Sequence, residues 1–174
     1  MSLQEVSRPA EAEERYGEIE ISETDSTYYF EDEFISTSWI PMGELFILGL
    51  ENKTEHSISI IWDQSVLVTP SGTSKTLIHG EVRRIDSQRS IPPTIVASGS
   101  RTELYVGTID GFDGEGDMPR RILIETTNTA MLERFQESTL DLIGEKVRPI
   151  LALEVRGSVL EYNFTFNIDG VTHN

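Results

Sequence analysis

Residues 158–168 read Ser-Val-Leu-Glu-Tyr-Asn-Phe-Thr-Phe-Asn-Ile, so Leu160, Tyr162, Phe164, Phe166 and Ile168 alternate with Glu161, Asn163, Thr165 and Asn167. Strand side chains point to opposite faces in turn, so this run places one face in a core and the other in water. Just upstream, Ile150–Val155 is almost wholly apolar, and only Arg156-Gly157 separates the two runs. A two-residue link of this kind predicts an antiparallel hairpin. One hairpin with a single apolar face is not stable alone, so a second layer must cover it.

The rest of the chain supplies strands for that layer. Glu44–Leu50 is an apolar run, Asn52–Glu55 a turn, and Ser57–Asp63 resumes with Ile58, Ile60 and Trp62 in phase. Val66–Thr69 and Lys75–His79 flank the turn signal Pro70-Ser-Gly72, and Thr94–Ala97 and Glu103–Ile109 flank Ser98-Gly-Ser100. Tyr28–Ile40 reads as one long or bent strand, with shorter candidates at Gly17–Ile21 and Ile122–Glu125. Short strands at turn-spaced intervals, with no fixed repeat, predict a mainly β antiparallel sandwich or barrel and exclude solenoids and propellers.

One segment departs from period two. Across 128–143, Met131, Leu132, Phe135, Thr139, Leu142 and Ile143 fall on one helical stripe, with Asn128 able to cap the start and Gly144 suited to the left-handed end. A helix near 128–143, covering one end or face of the sheets, is the expectation. At the other end, residues 1–33 carry eleven of the thirty carboxylates against Arg8 and Arg15 alone. Low hydrophobicity with like charge disfavours order, so residues 1–15 read as a flexible acidic tail and 16–174 as a single β domain.

Several of these runs together carry a resemblance. Asn52-Lys-Thr-Glu55, Ile58-Ser-Ile-Ile-Trp-Asp63, Leu77-Ile-His-Gly80, Ser90–Gly99 and the closing Ile150–Val155 with Glu161–Phe166 resemble a group of small exported bacterial domains, often lipoproteins. The likeness covers about two thirds of the chain in short pieces. It implies an antiparallel immunoglobulin-like β-sandwich at the cell envelope, and brings no catalytic residue with it. It also implies a periplasmic or envelope location, lipid-anchored before trimming. The acidic stretch and helix within Asp110–Lys146, and the N-terminal segment, fall outside the likeness. Met1-Ser2-Leu3 begins no signal peptide, which leaves a cytoplasmic location as the alternative.

Charge narrows the partners. The net charge is −16, with eleven arginines and only Lys53, Lys75 and Lys146. A polyanion would be repelled, so nucleic acid is excluded as a partner. Acidic excess with arginine in place of lysine also fits a salt-adapted chain, in which screening relieves self-repulsion. No cysteine is present, which removes disulfides, thiol nucleophiles and Cys-type zinc sites. No apolar run reaches the ~20 residues of a transmembrane helix.

Three groups of residues invite chemistry. Asp110-Gly-Phe-Asp-Gly-Glu-Gly-Asp117 could wrap Asp110, Asp113, Glu115 and Asp117 around Ca2+, a hard cation that takes six to eight oxygens. Its spacing is not that of an EF-hand, and a solvated acidic loop, in a chain acidic throughout, is the plainer reading. His79 has Asp63 on a neighbouring predicted strand and Arg83, Arg84, Asp86 and Arg89 after it, a set with general-base potential but no nucleophile elbow to serve. A structural His79 is expected, with Asp63 and Asp86 fixing loops. Trp39, Trp62, Tyr28, Tyr29 and Phe30 could make a platform for sugar rings, although alternating aromatics usually form core. Asn52 and Asn163 head formal glycosylation sequons, the second inside a predicted strand.

The expectation for function is therefore a non-enzymatic envelope interaction module, with an unknown protein or glycan partner met by loops or an open strand edge. The alternative is a calcium-dependent, polysaccharide-type binding module using the 110–117 loop. A hydrolase built on His79 ranks third.

Overall fold

The computed structural model describes residues 1–7, 20–24, 27–42, 45–80, 90–109 and 142–169. Among these, thirteen strands form two antiparallel sheets, and a 3-10 turn lies at Trp62–Gln64. The first sheet runs β1 (Ser2–Ser7), β13 (Ser158–Asn167), β12 (Lys146–Val155), β6 (Ile58–Ile60), β10 (Thr94–Val96), with β7 (Val66–Val68) on β12 and β8 (Ser74–Thr76) on β7. The second runs β2 (Glu20–Thr24), β3 (Thr27–Glu31), β4 (Ile35–Met42), β5 (Leu45–Asn52), β11 (Arg101–Gly107), β9 (Ile78–His79).

The expected closing hairpin forms as β12–β13, from Val155 opposite Ser158 back to Lys146 opposite Asn167. At its turn Arg156 has φ 51° and Gly157 φ 79°. Two successive positive φ values make the type I′ geometry, whose twist matches that of the flanking strands. The alternation then sets the core. Tyr162, Phe164 and Phe166 are buried and meet the second sheet through Phe30, Trp39, Phe46 and Tyr28. Trp39 lies at the centre, its ring 4.8 Å from Phe164, 5.6 Å from Phe46 and 5.9 Å from Phe166. Tilted and edge-to-face pairs of this kind add ~0.5–1.5 kcal/mol each beyond their buried area. The sheets thus form a β-sandwich around one core.

Beside β12, the segment 58–68 is a strand interrupted by its 3-10 turn. Ile61 N–H donates to Ala152 O at 2.8 Å, and Ala152 N–H donates to the buried Ser65 Oγ at 3.0 Å. A side-chain oxygen thus replaces the ladder acceptor that the turn removes. Trp62 still reaches the core from within the turn, as its phase predicted, and its Nε1–H donates to Thr94 Oγ1 at 2.9 Å.

Three expectations change. Lys75–His79 is not one strand: the chain leaves the first sheet after β8 and enters the second at β9, crossing at buried Leu77, whose N–H donates to Ser65 O. Tyr28–Ile40 is also not one strand but the hairpin β3–β4. Asp32 breaks it, its Oδ1 accepting the N–H groups of Phe34 at 2.8 Å and Ile35 at 2.9 Å. The reading of residues 1–15 as a flexible acidic tail is corrected for Ser2–Ser7, which pair with β13 and bury Val6. Tyr28 there donates its hydroxyl to Met1 O, tying the strand's start to the other sheet. Residues 8–15 lie outside the described residues.

The helix expected over 128–143 has 128–141 outside the described residues; among the described residues no α-helix is seen, and Leu142–Gly144 form a turn leading into β12. Gly144, at φ 91°, donates its N–H to Ile168 O. The candidate strand Ile122–Glu125 also lies outside the described residues, while Gly17–Ile21 appears, shifted, as β2. No helix among the described residues is long and apolar enough to cross a membrane.

Candidate functional site: the outer face of the six-stranded sheet

The β3–β4–β5–β11 ladder brings one set of side chains together on the face turned away from the core. Tyr29 lies opposite Ser38, Ser38 opposite Gly49, and Gly49 opposite Glu103. One row over, Glu31, Ser36, Glu51 and Arg101 align; in the other direction, Ile40, Ile47 and Tyr105 align. Tyr29 is 41% exposed and Tyr105 42%, whereas their neighbours Tyr28 and Val106 are buried in the core.

Gly49 makes this face concave. It occupies the middle of a central strand, where a Cβ would collide with Ser38 Oγ and Arg101 Nη2. An isolated glycine inside a strand commonly marks such a close approach. The depression holds about 40 Å³ and is lined by Tyr29, Ser36, Ser38, Gly49, Glu51 and Arg101. Arg101 spans it, donating from Nη2 to Ser38 Oγ at 3.1 Å, with Glu103 Oε2 3.9 Å away. Its guanidinium is thus flanked by Glu51 in register and Glu103 along its own strand. Room for only a water or two restricts the depression to a protruding group of a ligand. The surrounding face must provide the rest of the contact.

The residues singled out by sequence fall elsewhere. Asp110, Asp113, Glu115 and Asp117, the candidate Ca2+ ligands, lie outside the described residues, as do Arg83, Arg84, Asp86 and Arg89. Among the described residues no group of three or more His, Asp or Glu side chains is arranged to hold a metal. His79 is 8% exposed, and its ring lies 4.8 Å from that of Trp62. Asp63 is engaged by the segment before β10, where Oδ1 accepts the Ile91 N–H at 2.9 Å and Oδ2 accepts the Ser90 hydroxyl. The Ile91 amide, with the Ser90 hydroxyl second, holds the Asp63 carboxyl below its ordinary range. Asp63 therefore fixes the chain ahead of that strand, as a loop-ordering carboxylate would.

Of the five candidate platform aromatics, Trp39, Trp62, Tyr28 and Phe30 are core, and Tyr29 alone is exposed. The Asn52 sequon is likewise committed to structure. Its buried side chain donates to His56 O and Val96 O and accepts from Thr54, joining the β5–β6 turn to β10. Sequence reading missed Ser36, Ser38, Gly49, Arg101 and Tyr105. The available signal was the glycine inside the apolar run Leu45–Leu50. The register that sets Arg101 beside it spans half a hundred residues and has no local signature. No protein family, curated protein or solved structure matches this chain.

Proposed function

We propose that the chain is a non-enzymatic binding module on an immunoglobulin-like β-sandwich, working at the cell envelope with a protein or glycan partner. The observation that carries the binding role is the outer face of the six-stranded sheet, where half-exposed Tyr29 lines a glycine-floored depression crossed by Arg101 and half-exposed Tyr105 stands in the row on the far side of Gly49. Tyrosine gives a large, rigid contact surface at low entropic cost, and pairs a flat apolar ring with a polar tip. The immunoglobulin-like scaffold is supported by two antiparallel sheets enclosing an aromatic core. The envelope location rests on the family resemblance.

The test is sedimentation of the labelled protein with isolated cell envelopes, comparing the wild type with the Tyr29→Ala/Tyr105→Ala double variant. At least a tenfold loss of saturable binding is expected, with unchanged melting. Equal binding by the two proteins would refute this assignment of the face.

A further inference from the structure

We infer that the ligand of this face is a neutral oligosaccharide chain lying across the strands, a deepening that rests on the binding-module reading above. The first argument is spacing. Tyr29 and Tyr105 are three strands apart and two residues offset along the strands. At the usual strand spacing and rise this puts them about 16 Å apart. A pyranose ring spans about 5 Å at ordinary covalent bond lengths, so a linear glycan of three or four rings reaches from one tyrosine to the other.

The second argument is the polar inventory along the Tyr29 row and beside it. On the row Ser38 offers a hydroxyl and Glu103 accepts, and the Arg101 guanidinium reaches Ser38 from the adjacent row, on the side away from Tyr105, where Ser36 and Glu51 border the depression. Alternating donors and acceptors match a surface of vicinal hydroxyls, and the depression at Gly49 suits one group projecting from a ring. The third is charge. Glu31, Glu51 and Glu103 are three carboxylates on this face against two cations, Arg101 and the Lys53 that pairs with Glu31, in a chain of net charge −16. Anionic glycans would therefore be repelled, and a neutral chain is the class left. A second copy of the chain is the poorer occupant, because each copy brings a net charge of −16 to the contact.

Titration calorimetry with neutral gluco-, manno- and N-acetylglucosamine oligomers tests this, with disaccharide and hexasaccharide compared in each series. In at least one series the hexasaccharide should bind at least tenfold more tightly than the disaccharide, since only the longer chain spans both tyrosines. Tyr29→Ala and Tyr105→Ala should each weaken it about tenfold, while Tyr29→Phe and Tyr105→Phe retain most of the affinity and all four variants keep the wild-type melting temperature. The inference is overturned if no series binds at millimolar concentration, if length makes no difference, or if the alanine variants bind as the wild type does. Tyrosine-dependent envelope binding without oligosaccharide binding would leave the binding face standing and remove the glycan. A sedimentation dimer dissolved by Tyr105→Ala would assign the face to a second copy instead.

Discussion

Tyr162→Phe isolates one interaction that holds the two sheets in their mutual position. Tyr162 stands on β13 in the first sheet and is fully buried, and its hydroxyl donates to Asp32 Oδ2 at 3.0 Å. Asp32, 3% exposed, closes the β3–β4 turn of the second sheet through its other oxygen. Removing the hydroxyl leaves the ring in place against Phe30, 5.8 Å away edge-to-face, so no cavity term arises. The loss is then one hydrogen bond to a buried carboxylate, ~1.5–3 kcal/mol. Urea unfolding should show the midpoint falling with the m-value unchanged, since the buried area is the same. Asp32→Ala should cost more, because it also strips the acceptor from two turn N–H groups. The double variant should cost less than the sum of the two single ones, by ~1 kcal/mol or more for groups in direct contact. A Tyr162→Phe protein within 0.5 kcal/mol of wild type, on the ~2 kcal/mol scale of this argument, would refute it.

Asp63 adds an acid-side dependence. Its carboxyl is held below the ordinary value when folded, so its stabilisation is complete above about pH 4 and is lost as pH falls through the lower folded value. The stability difference between wild type and Asp63→Asn, measured by urea unfolding, should therefore shrink through that acid range. The surplus of carboxylates predicts a melting temperature that rises markedly from low to molar salt; a flat response in calorimetry would remove salt adaptation as a reading of the composition. For the 110–117 loop, a binding role that resides on the sheet face predicts no thermal shift between Ca2+ and EDTA. A saturable upward shift abolished by Asp113→Asn would establish the calcium-dependent alternative.

Much of the fold was legible because burial in a sandwich acts on alternate residues. The closing hairpin, its two-residue turn and the inward set Leu160, Tyr162, Phe164 and Phe166 all follow from period two. The β3–β4 hairpin, read as one long or bent strand, shows itself only once burial is known: residues 28, 30 and 32 are buried at even positions and 35, 37 and 39 at odd ones, but Asp32 and Thr37 are polar and hide that change of parity in the sequence. The passage from β8 to β9 is likewise unmarked, because Leu77 is apolar in either sheet and its place depends on Ser65, twelve residues earlier. The N-terminal strand was masked by the acidity of the sequence after it: Leu3 and Val6 alone carry its apolar phase. The binding face was the least legible, since it uses polar outward positions whose neighbours are set by register between distant strands.

Gly49 is the residue on which sequence, stability and function meet. Glycine in a strand interior costs ~0.5–1 kcal/mol relative to alanine, because it loses more backbone freedom on folding. Here no compensating backbone need exists, as Gly49 does not adopt the left-handed φ that glycine alone adopts freely. What it supplies is room, occupied by the Ser38 hydroxyl and the end of the Arg101 side chain. Both can yield: a serine rotamer can turn, and the half-exposed guanidinium can swing into water. Gly49→Ala should therefore fold with a stability within ~1 kcal/mol of wild type, the entropic gain offsetting the local rearrangement. It should nonetheless fill the depression, unseat Arg101 from Ser38 and weaken ligand binding at the face by about tenfold, one decade being 1.4 kcal/mol. A variant that binds as well as wild type would show that the concavity serves only packing. A variant that fails to fold would show that Arg101 and Ser38 are fixed in place more firmly than their exposure suggests.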